Sequence, residues 1–214
     1  MPNYQKKLAV KPGSKIRLKH FDPSYHGKHE SHKAVLPEIE ENRQKMDELQ
    51  YLMYAENKHS LLIVLQGLDA GGKDGVVRHV FTGMNPEGCV AVNFKEPTPK
   101  ELAHDFLWRV HPHVPSKGSV VIFNRSHYED VLVARVHGLV PEKIWSKRYN
   151  EINDFERLIT TENNTTILKF FLHISKEEQL ARFKKRLDDP TRQWKISESD
   201  YKEIGRASCR ERVS

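Results

Sequence analysis

The stretch Leu61–Val80, LLIVLQGLDAGGKDGVVRHV, constrains the fold more than any other part of the chain. The apolar run Leu61 to Leu65 reads as a buried parallel strand. A glycine-rich turn, Gly67 to Gly72, follows it, and after Lys73 the spacing turns helical. The pattern is G-x-x-x-x-G-K, with Gly67, Gly72 and Lys73 in the defining places, and the strand before and helix after supply its confirming context. Glycines let backbone N–H groups converge on phosphate oxygens, a helix N-terminus adds partial positive charge, and Lys73 adds a full one. Gly67, Ala70, Gly71, Gly72, Lys73 and Asp74 are therefore the candidate phosphate-binding residues.

Two aspartates depart from a simple phosphate cradle. Asp74 stands where Ser or Thr is usual, so the hydroxyl that normally reaches magnesium is missing. Asp69 places a carboxylate inside the loop. Anions beside a phosphate chain are costly unless a divalent cation lies between them. Asp69 is read as a metal ligand, or as the group that orients or activates the accepting phosphate. The structural alternative, a bond from the aspartate to its own turn, applies to Asp69 as well. For Asp74 it takes the form of a cap on the helix start.

The rest of the chain alternates strand and helix. A helix is expected from about Glu38 to Asn57, with Pro37 near its first turn and Glu38, Glu40 and Glu41 at its positive end. Cys89–Phe94 reads as a second strand. Thr98 is a plausible N-cap, with Pro99 at the first helical position, and Leu102, Phe106, Leu107 and Val110 would form the buried side of that helix. Ser119–Phe123 and Thr166–Ile174 read as further strands. Helices are expected over about Glu142–Thr160 and, capped by Ser175 with Glu178 as reciprocal partner, up to about Asp188–Pro190. This repetition argues for an α/β fold with a doubly wound, mostly parallel sheet.

In open α/β sheets ligands bind at the carboxyl ends of strands. The polar stretch that opens Asn124–His137, NRSHYEDVLVARVH, sits at such an end. Asn124 stands where an acid is usual after a strand of this kind, so magnesium would need Glu129, Asp130 or Asp69. Arg125 would offset charge on a transferred phosphoryl group. Asn124, Glu129 and His127 are candidates to read a nucleotide instead. A third group, Arg182, Lys184, Lys185, Arg186, Arg192 and Lys195, is interleaved with Phe183 and Trp194. It lies where nucleotide kinases carry a lid, and lids supply cations that clamp phosphates, with Arg182, Lys185 and Arg186 foremost. A solvated basic helix face is the competing account.

Charge sharpens the partner class. Of the 214 residues, the first 34 hold eight Lys/Arg and two Asp/Glu, while the remainder holds 27 of each. The whole formal excess of +6 thus sits in an N-terminal arm, which suits a polyanion or serves as a solubilising tail. Residues 1–34 show no sustained periodicity and are expected to be extended. The arm's histidines, His20, His26, His29 and His32, match no zinc spacing. No run of about 18 apolar residues predicts a membrane span. Two cysteines predict reduced thiols and a cytoplasmic protein. Residues 35–204 form the expected catalytic domain, with a lid at about 182–200. Gly205–Ser214, GRASCRERVS, continues no pattern and reads as a scar on a truncated chain.

Five stretches together resemble the polyphosphate kinase 2 family: GLDAGGKDG (Gly67–Gly75), VNFKEPT (Val92–Thr98), ELAHDFLWRVH (Glu101–His111), FNRSHYEDVLVARVH (Phe123–His137) and ARFKKRLDDPTRQWKIS (Ala181–Ser197). The resemblance runs from about Phe21 to Glu203. It implies a P-loop kinase fold with a helical lid. It also implies phosphoryl transfer between inorganic polyphosphate and a nucleotide with Mg²⁺ or Mn²⁺, in a homo-oligomer (dimer or tetramer). It makes Asp69, Lys73 and Arg125 catalytic. The FNRSHYED form is similar to the subgroup that accepts both AMP and ADP, giving ADP and ATP, with Asn124 and Glu129 as the distinguishing positions. Family members continue through further helices beyond this chain.

Two rival accounts use the same residues. One is an ATP-dependent nucleotide or small-molecule kinase on this fold. The other is a non-catalytic polyanion- or nucleic-acid-binding module built on the basic arm. The chain lacks an aromatic stacking motif for single strands, so no nucleic-acid partner is expected.

Overall fold

A computed structural model describes residues 4–27, 31–136, 138, 140–191 and 193. The helices are α1 (Tyr4–Leu8), α2 (His32–Glu56), α3 (Lys73–Val80), α4 (Pro99–Leu102), α5 (Glu129–Val136), α6 (Glu142–Asn163) and α7 (Lys176–Asp188). The strands are β1 (Ser60–Gly67), β2 (Cys89–Asn93), β3 (Val120–Arg125) and β4 (Thr165–Leu172). Two compact units divide the chain: Asn42–Gly67 with Gly72–Leu172, and Met1–Glu41 with Leu68–Gly71 and His173–Ser214.

The first of these units holds the sheet, which is wholly parallel in the order β2-β3-β1-β4. The central strands β1 and β3 are continuous apolar runs because both faces are covered. Leu62 and Val64 pack with Val121, Phe123 and the α6 residues Phe155 and Ile159 on one face. On the other, Ile63 and Leu65 pack with Val120 and Ile122, against Val76 and Val77 of α3 and Met53 of α2. Successive side chains alternate between faces, so the register Leu61↔Val120 to Val64↔Phe123 keeps both cores filled. Each fully buried Leu, Ile or Val contributes roughly 1.5–3 kcal/mol. Helices on both faces make the sheet doubly wound, as the strand–helix repetition predicts.

Several local expectations change. Helix α2 begins at His32, six residues before the expected start, so Pro37 lies inside it. The Ser31 hydroxyl accepts the Ala34 N–H at 3.3 Å and supplies a start signal upstream of the proline. The helix expected from Thr98 onward is the single turn α4. Thr98 and Glu101 form the capping box, but Asp105 then accepts the Leu107 N–H at 3.0 Å, a local turn that competes with helix. Leu102 is 70% exposed, contrary to expectation, whereas Val110 is buried. Glu178 does not complete a capping box with Ser175. The Ser175 hydroxyl accepts the Glu178 N–H at 3.1 Å, but the Glu178 carboxylate takes Arg182 Nε at 2.7 Å. Helix α5 was not anticipated, and the arm is not wholly extended, since α1 lies within it. Arg192, Trp194, Lys195 and the segment 205–214 lie outside the described residues.

Candidate active site

Strand β1 delivers the chain into the glycine turn, and α3 leaves it. Gly67 has a φ of +151°, and a Cβ there would lie 2.9 Å from the Leu172 carbonyl oxygen of β4. Only glycine fits that approach. Gly72, at φ +105°, is the N-cap of α3 and offers no side chain. No side chain therefore caps the helix start, and a helix N-terminus of this kind is suited to anions. Asp74 is not the cap; it lies in the first turn of α3. Lys73 is buried, and its Nζ donates back to the Gly67 carbonyl.

Asn124 and Arg125 are the last two residues of β3, at the sheet's carboxyl edge. Asn124 is buried and its Nδ2 donates to Asp74 Oδ1 at 2.8 Å, while its Oδ1 is buried without a partner. The Arg125 side chain is exposed, and its carbonyl accepts the Phe94 N–H at 3.3 Å. Glu129 opens α5 and is half-buried.

Two of the expected site residues belong elsewhere. His127 is 0% exposed, with its ring packed edge-on to Phe123 and Phe155. Its Nε2 lies 3.4 Å from Glu156 Oε1. A histidine so enclosed is a core residue and not a nucleotide reader. Asp130 is not an open metal ligand, because Arg109 Nη2 donates to both its oxygens, at 3.3 and 3.1 Å. Burial pushes the Asp130 carboxyl above its ordinary value, against the lowering effect of Arg109. Arg109 Nη1 also donates to the Lys95 carbonyl at 2.7 Å, and Arg148 donates to the Asp130 carbonyl at 2.6 Å. These bonds fix the loop after β2 and the start of α5.

Glu156 of α6 anchors a second buried network. It accepts from the Tyr128 hydroxyl and from Lys169 Nζ, both at 2.9 Å. Burial alone would raise the Glu156 carboxyl, but the His127 hydrogen bond and the Lys169 ammonium outweigh it and hold the group below its ordinary value. Burial and the Glu156 charge push the Tyr128 hydroxyl up to about 12, so it stays protonated and donates. Arg109, Glu156 and Lys169 were not singled out from sequence. Their partners are distant along the chain, and only ELAHDFLWRVH, which contains Arg109, carried a signal.

The other unit holds Leu68–Gly71 and α7. Ala70 adopts φ +61°, and the Gly71 N–H closes a tight turn on the Leu68 carbonyl at 2.8 Å. Gln179 of α7, which is buried, donates to the Asp69 carbonyl at 2.9 Å. Arg182 Nη1 donates to the Ala70 carbonyl at 3.0 Å. Arg182 thus braces the loop backbone as well as bonding Glu178. Lys185 is exposed, and the Arg186 guanidinium lies 5.5 Å from the Phe183 ring centroid. The Asp69 side chain is half-buried.

No group of three or more His, Cys, Asp or Glu that could hold a metal comes together among the described residues. Magnesium needs no such cage, since it is commonly held by one or two carboxylates with substrate phosphates and water. Asp69 and Glu129, both half-buried, suit that donor chemistry. Among the described residues no helix is long and apolar enough to cross a membrane.

Known proteins resemble the chain in sequence and in fold. Over 199 residues the chain is 52% identical to an AMP/ADP-polyphosphate phosphotransferase of Meiothermus ruber, covering 92% of this chain and 74% of that one. It is 42% identical over 214 residues to an ADP-polyphosphate phosphotransferase of Rhodopseudomonas palustris, covering 92% and 72%. The crystal structure of polyphosphate kinase 2 from Arthrobacter aurescens TC1 superposes with a TM-score of 0.84 at 40% identity, covering 94% of this chain and 72% of that one. Residues 29–208 match the polyphosphate kinase 2 family. A glycine turn between a buried strand and an uncapped helix, with this extent of shared sequence and fold, means that the chain belongs to the polyphosphate kinase 2 family.

Proposed function

We propose that this protein transfers a phosphoryl group between inorganic polyphosphate and a nucleotide, turning AMP or ADP into ADP or ATP. The observation that carries the reading is the Gly67–Lys73 glycine turn, which leads into α3 with no side-chain cap at Gly72. The 52% identity to an AMP/ADP-polyphosphate phosphotransferase supports the choice of substrates.

The loop N–H groups and Lys73 bind phosphate oxygens. Arg125, exposed at the end of β3, offsets charge on the transferred group. Asp69 orients the accepting phosphate, and its backbone is held for that task by Gln179. Arg182, Lys185 and Arg186 of α7 are further cationic candidates for polyphosphate. Asp69 or Glu129 would offer a carboxylate to Mg²⁺ or Mn²⁺, which would supply electrostatic stabilisation of the transferred charge. Positioning and electrostatics carry the catalysis, because a loose phosphoryl transition state leaves little covalent work to the protein.

A cytoplasmic setting accords with Cys89 as a free thiol. Self-association accords with the exposed Leu49, Tyr51, Leu52 and Tyr54 of α2. No nucleic-acid partner is part of this reading.

The test is ADP and ATP formation from polyphosphate with AMP or ADP, in the wild type and in Asp69→Asn. Turnover is expected in the wild type, with a loss of at least about 100-fold in the variant. Turnover with ATP as sole donor would favour the ATP-dependent kinase, and full activity in Asp69→Asn would refute the role given to Asp69.

A further inference from the structure

Two departures from the P-loop pattern meet in space. The pattern puts a hydroxyl directly after the lysine. An acid is usual at the end of the neighbouring strand. Here Asp74 follows Lys73, and the amide Asn124 ends β3. The two residues are 50 positions apart, yet Asn124 Nδ2 donates to Asp74 Oδ1 at 2.8 Å. Each departure alone looks like a defect in the metal-binding half of a phosphate site. Together they keep one carboxylate and one neutral hydrogen-bonding group, with their places exchanged.

The geometry points to a charge-exchanged pair, in which Asn124 positions Asp74 and Asp74 supplies the carboxylate that a divalent cation takes at the start of α3. The inference deepens the metal-assisted reading above and rests on it. It adds Asp74 to the expected metal-facing groups and gives Asn124 a positioning role.

Three physical points support the pair. First, the amide orientation follows from its partner: a carboxylate only accepts, so Nδ2 must face Asp74. Second, Asn124 is buried, and its Oδ1 lacks a hydrogen-bond partner. An unsatisfied buried acceptor is costly, and a cost of that kind persists at functional sites. Third, an acid at position 124 would place two carboxylates within hydrogen-bonding distance. They could not both ionise cheaply and would share a proton. With Asp at 74, the residue at 124 must therefore be neutral and able to donate. Asparagine meets both conditions at the size of an aspartate.

Four proteins test the pair: the wild type, Asn124→Asp, Asp74→Asn and the exchanged double variant Asn124→Asp/Asp74→Asn. The first readout is melting temperature between pH 5 and 8, without ligand. Asn124→Asp should fall progressively below the wild type as pH rises, because its paired acids are forced to ionise. The double variant should recover most of that loss, since it restores one donor and one acceptor. The second readout is Mn²⁺ binding in the presence of ADP, followed by electron paramagnetic resonance. Asp74→Asn should weaken Mn²⁺ by about tenfold or more, and the double variant should regain most of it.

A double variant no more stable than Asn124→Asp overturns the pairing. Unchanged Mn²⁺ affinity in Asp74→Asn, or a wild type that takes up no Mn²⁺ with ADP, overturns the metal-facing role. Neither readout involves polyphosphate turnover. A failure here is therefore distinct from a failure of the proposed donor.

Discussion

Replacing Glu156 by Gln is the sharpest test of how the site's surroundings are held. Glu156 is 9% exposed, and its carboxylate accepts from Tyr128 and Lys169 at 2.9 Å each. His127 Nε2 lies at 3.4 Å from the same oxygen that Tyr128 uses. A glutamine amide has one acceptor and one donor, so one side of the network must face donor against donor. Hydrogen bonds to a charged group contribute about 1.5–3 kcal/mol, and the Lys169 side chain is 32% exposed, which tempers its share. The expected loss is about 2–3 kcal/mol at pH 7.5, or roughly 5–10 °C in melting temperature for a chain of this size. The sign with pH follows from the Glu156 carboxyl, which is held below its ordinary value. Its contribution is present above the ordinary carboxyl range and lost as pH falls through the folded value. Urea midpoints for wild type and Glu156→Gln from pH 7.5 to 3.5 should therefore converge below about pH 4. Asp154→Asn is the control, because the Arg157–Asp154 pair is 73% and 64% exposed and its loss should not register. A Glu156→Gln protein as stable as wild type at pH 7.5, or a gap that stays constant into acid, would refute the network's role.

Two further outcomes follow from the same structure. Arg109→Met leaves the Asp130 carboxylate buried without its guanidinium and should cost about 3–5 kcal/mol by chemical denaturation at pH 8. Asp130 already has a raised carboxyl, and an acid raised in the folded state loses stability as pH rises, so the deficit should shrink at pH 5. Gly67→Ala drives a Cβ to 2.9 Å from the Leu172 carbonyl at a φ of +151°. It should destabilise by about 3 kcal/mol and remove nucleotide binding by calorimetry; a soluble Gly67→Ala protein with wild-type affinity would contradict the close approach.

Some of this was legible in the chain because the signal is local. The run Leu61–Leu65, the glycines and Lys73 are consecutive, and their chemistry needs no distant partner to be recognised. The capping box at Thr98 and Glu101 is equally local, and it forms as expected. The helix drawn beyond it was not legible, because a periodic apolar spacing cannot reveal that Asp105 will take the Leu107 N–H. His127 and Asp130 sit in the same polar stretch as Arg125, and residue type alone could not separate them. Burial separates them: the end of β3 leaves Arg125 exposed while the next turn folds His127 under Phe123 and Phe155.

The sequence by itself determined that Leu61–Val80 would be strand, glycine turn and helix, and that phosphate would be the group such a turn suits. Steric freedom at glycine and the alternation of apolar side chains are properties of neighbouring residues, and neighbours are what a sequence records. Only the tertiary structure decided which charged groups are partners. Parallel pairing of β1 with β3 sets the carboxyl ends of the two strands side by side, and Asn124 thereby meets Asp74 across 50 residues. Folding likewise gave Asp130 to Arg109, and Glu156 to Tyr128 and Lys169. An ionised group taken from water must find a partner wherever the packing provides one, and that choice is made in three dimensions.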